Sequence, residues 1–240
     1  IYKSLGPIGI SANTTNGLLS IGSSTGRGVL VGPPYPPLNL GKDWKMGTTS
    51  VMGANGYWTS VVSGIDINGV TKFVAVADGL SNRAMYSLDG KNWTSATSTV
   101  MNLNHWKSVA YGVLNGVPTF VAVGWQSYPA VSNDGINWSL SGFLPADLQW
   151  SSITFGKTSN FPNGVFVAVA ESGAAGTSRA TYSTNAYDWF SGPMLPNNMQ
   201  SNWKSVTFGD NGGGMKRFVA VARVQGAAYP DYLVMFSNDA

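Results

Sequence analysis

Trp58, Trp106, Trp150 and Trp203 each open a stretch in which apolar and polar residues take turns, and each stretch closes on a glycine six residues later, at Gly64, Gly112, Gly156 and Gly209. Alternation of period two predicts a β-strand, and the terminal glycine a turn. A second pattern follows each of these: Phe-Val-Ala-Val, beginning at Phe73, Phe120, Phe166 and Phe218. It is apolar at every position and β-branched at alternate ones, which predicts a strand buried on both faces. Short segments such as Ala84-Met85-Tyr86-Ser87 and Asn92-Trp93-Thr94-Ser95, joined across Asp89-Gly90, supply a third and a fourth strand with a turn between them.

These patterns recur as a unit. The opening tryptophans lie 48, 44 and 53 residues apart, and a closing element with six-residue spacing runs from Ser87 to Trp93, Ser132 to Trp138 and Ser183 to Trp189. Trp44, preceded by Gly41-Lys42-Asp43, matches the end of such a unit. At the other end, Ser237-Asn238-Asp239-Ala240 matches the start of one. Four short strands in a repeat of 40 to 50 residues is the signature of a propeller blade. The predicted fold class is therefore all-β: a β-propeller of four-stranded antiparallel blades, with four recognisable repeats, and with five blades or a part of a larger ring left open. The expected domain organisation is an N-terminal segment over 1–43, an extended arm or a degenerate blade using Val29-Leu30-Val31, and propeller repeats over 44–240. Ring closure is expected to pair a strand around Trp44 with the three strands of the last unit, because an open edge is a liability. A fragment of a longer propeller is the alternative.

Ser87-Leu88-Asp89-Gly90-Lys91-Asn92-Trp93 and Ser132-Asn133-Asp134-Gly135-Ile136-Asn137-Trp138 resemble the Asp box of BNR-repeat propellers, the sialidase-like superfamily, although each is one residue shorter than Ser-x-Asp-x-Gly-x-x-Trp. The copy at Ser183 has Asn185 for the aspartate and Ala186 for the glycine. The resemblance extends over about residues 38 to 240. It implies a structural device in which the aspartate accepts backbone hydrogen bonds in the turn and the tryptophan fills the space between blades.

Composition narrows the function. Charged residues make up 10% of the chain, the formal charge is +3 from 14 basic and 11 acidic side chains, and the basic residues are scattered, which argues against nucleic acid as a partner. The longest apolar runs stop after about five residues, too few for a membrane helix, so no membrane insertion is expected. With no cysteine there is no disulfide or thiolate metal site. The abundance of glycine, serine, threonine and asparagine resembles that of secreted, cell-surface and virion-surface proteins, and an extracellular or virion-surface location is expected by that analogy.

The inventory for catalysis is short. A sialidase-like hydrolase needs an arginine cluster, a tyrosine paired with a carboxylate, and an acid. The chain has five arginines, no Phe-Arg-Ile-Pro-like segment, and Glu171 as its only glutamate. His105 is the only histidine, against a metal cluster or a Ser-His-Asp triad. No catalytic residue, metal or cofactor is expected. Gly212-Gly213-Gly214 lacks the Lys-Ser/Thr of a phosphate loop and is taken as a hairpin loop.

Propeller topology places the loops after each second strand on one side, opposite the Ser/Asp turns. Those loops begin at Asp78, Gly124, Glu171 and Arg223, and they vary most in length, the property of functional loops on a repeated scaffold. The candidate binding residues are Arg83, Trp125, Tyr128, Glu171, Arg179, Arg223, Tyr229 and Asp231. Trp125 is the one tryptophan outside the repeat positions, and an aromatic face near hydrogen-bonding side chains suits a sugar. The expected function is a non-enzymatic recognition or assembly module whose partner is a glycan or a protein surface within a larger assembly. A sialidase-like glycoside hydrolase and an intracellular protein-interaction scaffold are the alternatives.

Overall fold

A computed structural model describes residues 9–13, 18–22, 45–49, 57–79, 81, 83–126, 128–172, 177–192, 202–210, 214–223 and 233–239. The chain divides into two compact units, Ile1–Met46 and Gly47–Ala240. The first contains an antiparallel hairpin of β1 (Gly9–Asn13) and β2 (Leu18–Gly22). Trp44 and the 29–31 segment, expected to be a closing strand and part of a degenerate blade, lie outside the described residues.

The second unit is a run of β-propeller blades. Blade 1 comprises β4 (Tyr57–Ile65), β5 (Thr71–Asp78), β6 (Ala84–Ser87) and β7 (Asn92–Ser95). A two-residue strand, β3 (Thr48–Thr49), runs parallel to β7 at its outer edge. Blade 2 is β8 (Trp106–Leu114), β9 (Val117–Gly124), β10 (Ala130–Ser132) and β11 (Ser139–Leu140). Blade 3 is β12 (Gln149–Gly156), β13 (Val165–Ser172), β14 (Ala180–Ser183) and β15 (Phe190–Ser191). Blade 4 shows three strands among the described residues, β16 (Asn202–Asp210), β17 (Lys216–Arg223) and β18 (Val234–Ser237). Thus β3, the described strand nearest Trp44, extends blade 1. A single 3-10 turn, Thr99–Asn102, is the only helical element among the described residues.

Blades 2 and 3 each bury one face, the leading face, on the blade before and the other, the trailing face, on the blade after. The Phe-Val-Ala-Val strand serves both. In blade 2, Phe120 and Ala122 pack with Val74 and Val76 of blade 1, whereas Val121 and Val123 pack with Trp150, Ile153 and Phe166 of blade 3. All four blade-2 residues are fully buried. Burial of a valine from water contributes on the order of 1.5–3 kcal/mol, so these strands carry much of the stability. The glycine that ends each first strand admits the next blade's aromatic ring. A Cβ on Gly112 would lie 2.1 Å from the Phe155 ring, one on Gly64 2.4 Å from Tyr111, and one on Gly156 2.4 Å from Phe208.

One device was invisible in the alternation. Register shifts fall between Trp58 and Ser60, Trp106 and Ser108, Trp150 and Ser152, and Trp203 and Ser205, so every first strand has a bulge at the residue after its tryptophan. A bulge adds one residue and re-aims its side chain. Here it turns Thr59, Lys107, Ser151 and Lys204 toward neighbouring blades.

Candidate functional site

Antiparallel order puts the ends of the second and fourth strands and the starts of the first and third at one rim of the unit. The Ser/Asp turns occupy the opposite rim. There, Ser87 Oγ accepts the Gly90 N–H at 2.9 Å, and Asp89 Oδ1 accepts the N–H groups of Lys91 and Asn92 at 2.8 Å each. Ser132 and Asp134 repeat this with Gly135, Ile136 and Asn137. Gly90 and Gly135 both sit at φ 71°, and Ala186, which replaces the glycine in the third copy, at φ 63°. The backbone N–H groups of Asn92 and Lys91 hold the Asp89 carboxyl far below the usual carboxylate range. Burial pushes Asp134 up, but the N–H groups of Asn137 and Ile136 outweigh it and hold that carboxyl low as well.

The loop rim carries the candidate site. At the joint between blades 1 and 2, the bulge at Lys107 sends its ammonium group to Asp78 Oδ2 at 2.5 Å, while His105 Nδ1 lies 2.5 Å from Asp78 Oδ1. Burial raises the Asp78 carboxyl, but Lys107 and His105 prevail and keep it below its ordinary value. The His105 ring stacks on Trp125 with centroids 5.3 Å apart, and Lys107 Nζ stands 4.3 Å from the Trp125 ring centroid. Asn104, buried, anchors the loop: its Oδ1 accepts the Gln126 N–H and its Nδ2 donates to the Tyr128 carbonyl. Tyr128 in turn packs on Phe143 at 4.4 Å. Trp125 is 40% exposed, Leu103 56% and Phe143 66%. The result is a group of exposed apolar and aromatic side chains anchored through Asn104 and Tyr128, beside a carboxylate already engaged by Lys107 and His105.

The other sequence candidates divide by position. Arg83 and Arg179 are buried at blade joints: Arg83 Nη1 donates to the Asn104 carbonyl at 2.6 Å, and Arg179 Nη1 to Asn202 Oδ1 at 3.1 Å. Burial lowers the Arg179 pKa from its ordinary value. Arg83 Nε is buried without a hydrogen-bond partner, and Arg83 lines an open cavity of about 370 Å³ of mixed polar and apolar lining, with Ser98, Asn102 and Met101 among its walls. Glu171 pairs with Lys204 across the joint between blades 3 and 4. Arg223 is exposed at the end of β17, while Tyr229 and Asp231 lie outside the described residues. The structure therefore brings Trp125 and Tyr128 together and joins them to Asp78, His105, Lys107, Leu103 and Phe143. The sequence pattern gives His105 no place in the repeat and counts Lys107 as one residue of an alternating strand, so it singles out neither. The lysine after the tryptophan recurs at Lys204, and that recurrence was the available signal. Among the described residues, no group of three or more His, Cys, Asp or Glu gathers to hold a metal.

No family model and no curated protein matches the chain. Among solved structures it is similar to YCF48 from Cyanidioschyzon merolae, at 17% identity and a TM-score of 0.46, covering 71% of this chain and 52% of that one. It is also similar to the N-terminal domain of Nup159, at 11% identity and a TM-score of 0.37, covering 89% of this chain and 59% of that one. The chain thus spans between half and three-fifths of the length of either structure.

Proposed function

We propose that this chain is a non-enzymatic recognition module whose Trp125 patch docks a glycan or a protein surface on a secreted or virion-surface assembly, and that its Ser/Asp turns mark kinship with Asp-box propellers. The observation that supports it is a set of exposed apolar and aromatic side chains on one rim: Leu103 beside the buried Asn104, Trp125 in the loop that Asn104 anchors through Gln126 and Tyr128, and Phe143 packed on Tyr128. Exposed apolar side chains gathered on one rim suit an interaction site, and a tryptophan face stacks on sugar rings as readily as on protein side chains. The carboxylates argue against hydrolysis. Glycosidases require two positioned carboxyl groups, whereas Asp78 is held by Lys107 and His105, Glu171 by Lys204, and Asp89 and Asp134 by their turns.

Glycan-array and surface-pulldown measurements with Trp125→Ala test the reading. The substitution is expected to change folding stability by less than about 1 kcal/mol and to weaken binding by about 1–3 kcal/mol, the scale of a modest hot spot. Unchanged binding would show that the patch is not the site. Fluorogenic sialosides and aryl glycosides are expected to give no turnover above background; turnover abolished by Glu171→Gln would establish the hydrolase instead.

A further inference from the structure

The two ends of the blade run expose the two halves of the interface that joins the blades internally. On the leading side, Val109, Ile153 and Val206 are buried to 5–7% exposure, but Val61, at the same repeat position in blade 1, is 61% exposed. On the trailing side, Val76, Val123 and Val169 are fully buried, but Val221 in blade 4 is 45% exposed, with Val234 and Phe236 beside it exposed as well. A chain closed upon itself would bury all of these.

A hydrogen-bond series points to what belongs there. In blades 1, 2 and 3 the serine two residues after the tryptophan accepts a backbone N–H from the next blade: Val109 N–H to Ser60 Oγ at 3.2 Å, Ile153 N–H to Ser108 Oγ at 3.2 Å, and Val206 N–H to Ser152 Oγ at 3.1 Å. Among the described residues, Ser205 Oγ is the acceptor left over at one end and the Val61 N–H the donor left over at the other.

The blades also alternate. Blades 1 and 3 carry a hydroxyl after the tryptophan, an acid at the end of the second strand and an arginine before the third. The hydroxyls reach forward, Thr59 to the Trp106 carbonyl at 2.9 Å and Ser151 to the Trp203 carbonyl at 2.6 Å. The acids Asp78 and Glu171 meet Lys107 and Lys204, and the arginines Arg83 and Arg179 meet Asn104 and Asn202. Blades 2 and 4 carry the lysines instead. A blade of the second kind is thus followed by one of the first kind, as blade 2 is by blade 3, and blade 1 is of the kind that must follow blade 4.

We infer that blade 4 of one copy docks on blade 1 of a second copy, head to tail, in a joint that continues the internal series. Val221 packs against the partner copy's blade 1, and Ser205 Oγ accepts the N–H equivalent to that of Val61. Two copies joined at both ends close a ring of eight blades, within the range known for propellers. The joint is looser than the internal ones at one point. Gly209 has nothing within 4 Å of an added Cβ, and blade 1 offers Ser63 where the other blades offer Tyr111, Phe155 and Phe208. The end faces are separate from the loop patch, so their pairing stands or falls independently of the ligand.

Sedimentation equilibrium of the 240-residue chain is expected to give a dimer mass; a monomer at all concentrations overturns the inference. Val61→Asp and Val221→Asp, each at an exposed position and each checked for an unchanged melting curve against monomeric protein, are expected to be monomeric alone, since every joint then contains one damaged face. Mixed in equal amounts they are expected to recover a dimer through the one intact joint, a result that only head-to-tail pairing gives. Association that survives either substitution, or a mixture that stays monomeric, overturns it. Ser63→Phe fills the space above Gly209 and is expected to lower the dissociation constant by about tenfold; a weaker dimer contradicts the docking geometry.

Discussion

At the scale of single residues, the Ser/Asp turns show how one side chain fixes a backbone. Asp134 satisfies two N–H groups that a tight turn would otherwise leave bare, and Asp89 does the same. Because both carboxyls are depressed in the folded state, their stabilisation is complete above roughly pH 4, the unfolded value, and is lost as the pH falls through the lower folded values. Urea midpoints measured from pH 6 down to pH 2 are expected to fall below pH 4. Asp134→Asn is expected to flatten that fall, because a neutral amide oxygen does not titrate. The third copy already uses one: Asn185 Oδ1 accepts the N–H groups of Tyr187 and Asp188 at 2.9 and 2.7 Å. Glycine matters at the next position. Gly135→Ala combines a φ of 71° with a Cβ 2.6 Å from Val74 Cγ2 and is expected to cost about 2–4 kcal/mol, whereas Gly90→Ala meets nothing closer than 3.5 Å and is expected to cost about 1–2. Equal costs in a denaturant titration would refute that difference. The turns were legible because serine, aspartate and glycine at fixed offsets have few structural uses. The buried arginines were not: the sequence cannot distinguish Arg83 in a loop from Arg83 folded into a joint, where the Asn104 carbonyl waits for it.

At the scale of elements, the strands follow from pattern, and their irregularities do not. An uninterrupted Phe-Val-Ala-Val run announces burial on both faces, and the four copies pair as expected with their neighbours. The bulge after each tryptophan escaped, since counting alternate residues assumes that none is extra; yet it is the bulge that points Lys107 at Asp78 and places the candidate site. Burial of the closing tryptophans differs too. Trp138 and Trp189 are buried at 6% and 7% exposure, whereas Trp93, expected to be packed between blades, is half-buried on the leading face of blade 1. Trp138→Ala is therefore expected to cost about 3–5 kcal/mol as a large-to-small core change, and Trp93→Ala distinctly less in the monomeric protein. The aromatic-on-glycine contacts set a similar contrast. Gly112→Ala collides with the Phe155 ring and is expected to cost about 1–3 kcal/mol by overpacking, while Gly209→Ala is expected to stay within about 0.5. Thermal melts of the four variants distinguish these outcomes, and a destabilising Gly209→Ala would show that its face is already covered.

At the scale of the whole molecule, the joint chemistry sets the step by which such a chain can change length. Removing one internal blade brings two blades of the same kind together: without blade 2, Asp78 of blade 1 meets Ser151 in place of a lysine. Removing blades 2 and 3 together instead brings Asp78 to Lys204 and Thr59 to the Trp203 carbonyl, the same contacts that blade 1 makes now with Lys107 and Trp106. A pair of blades is then the smallest unit whose gain or loss keeps every joint matched. Variants of this chain shortened by blades 2 and 3 together are expected to melt cooperatively, and variants shortened by blade 2 alone are expected to be less stable, with acid and lysine no longer facing each other at the new joint.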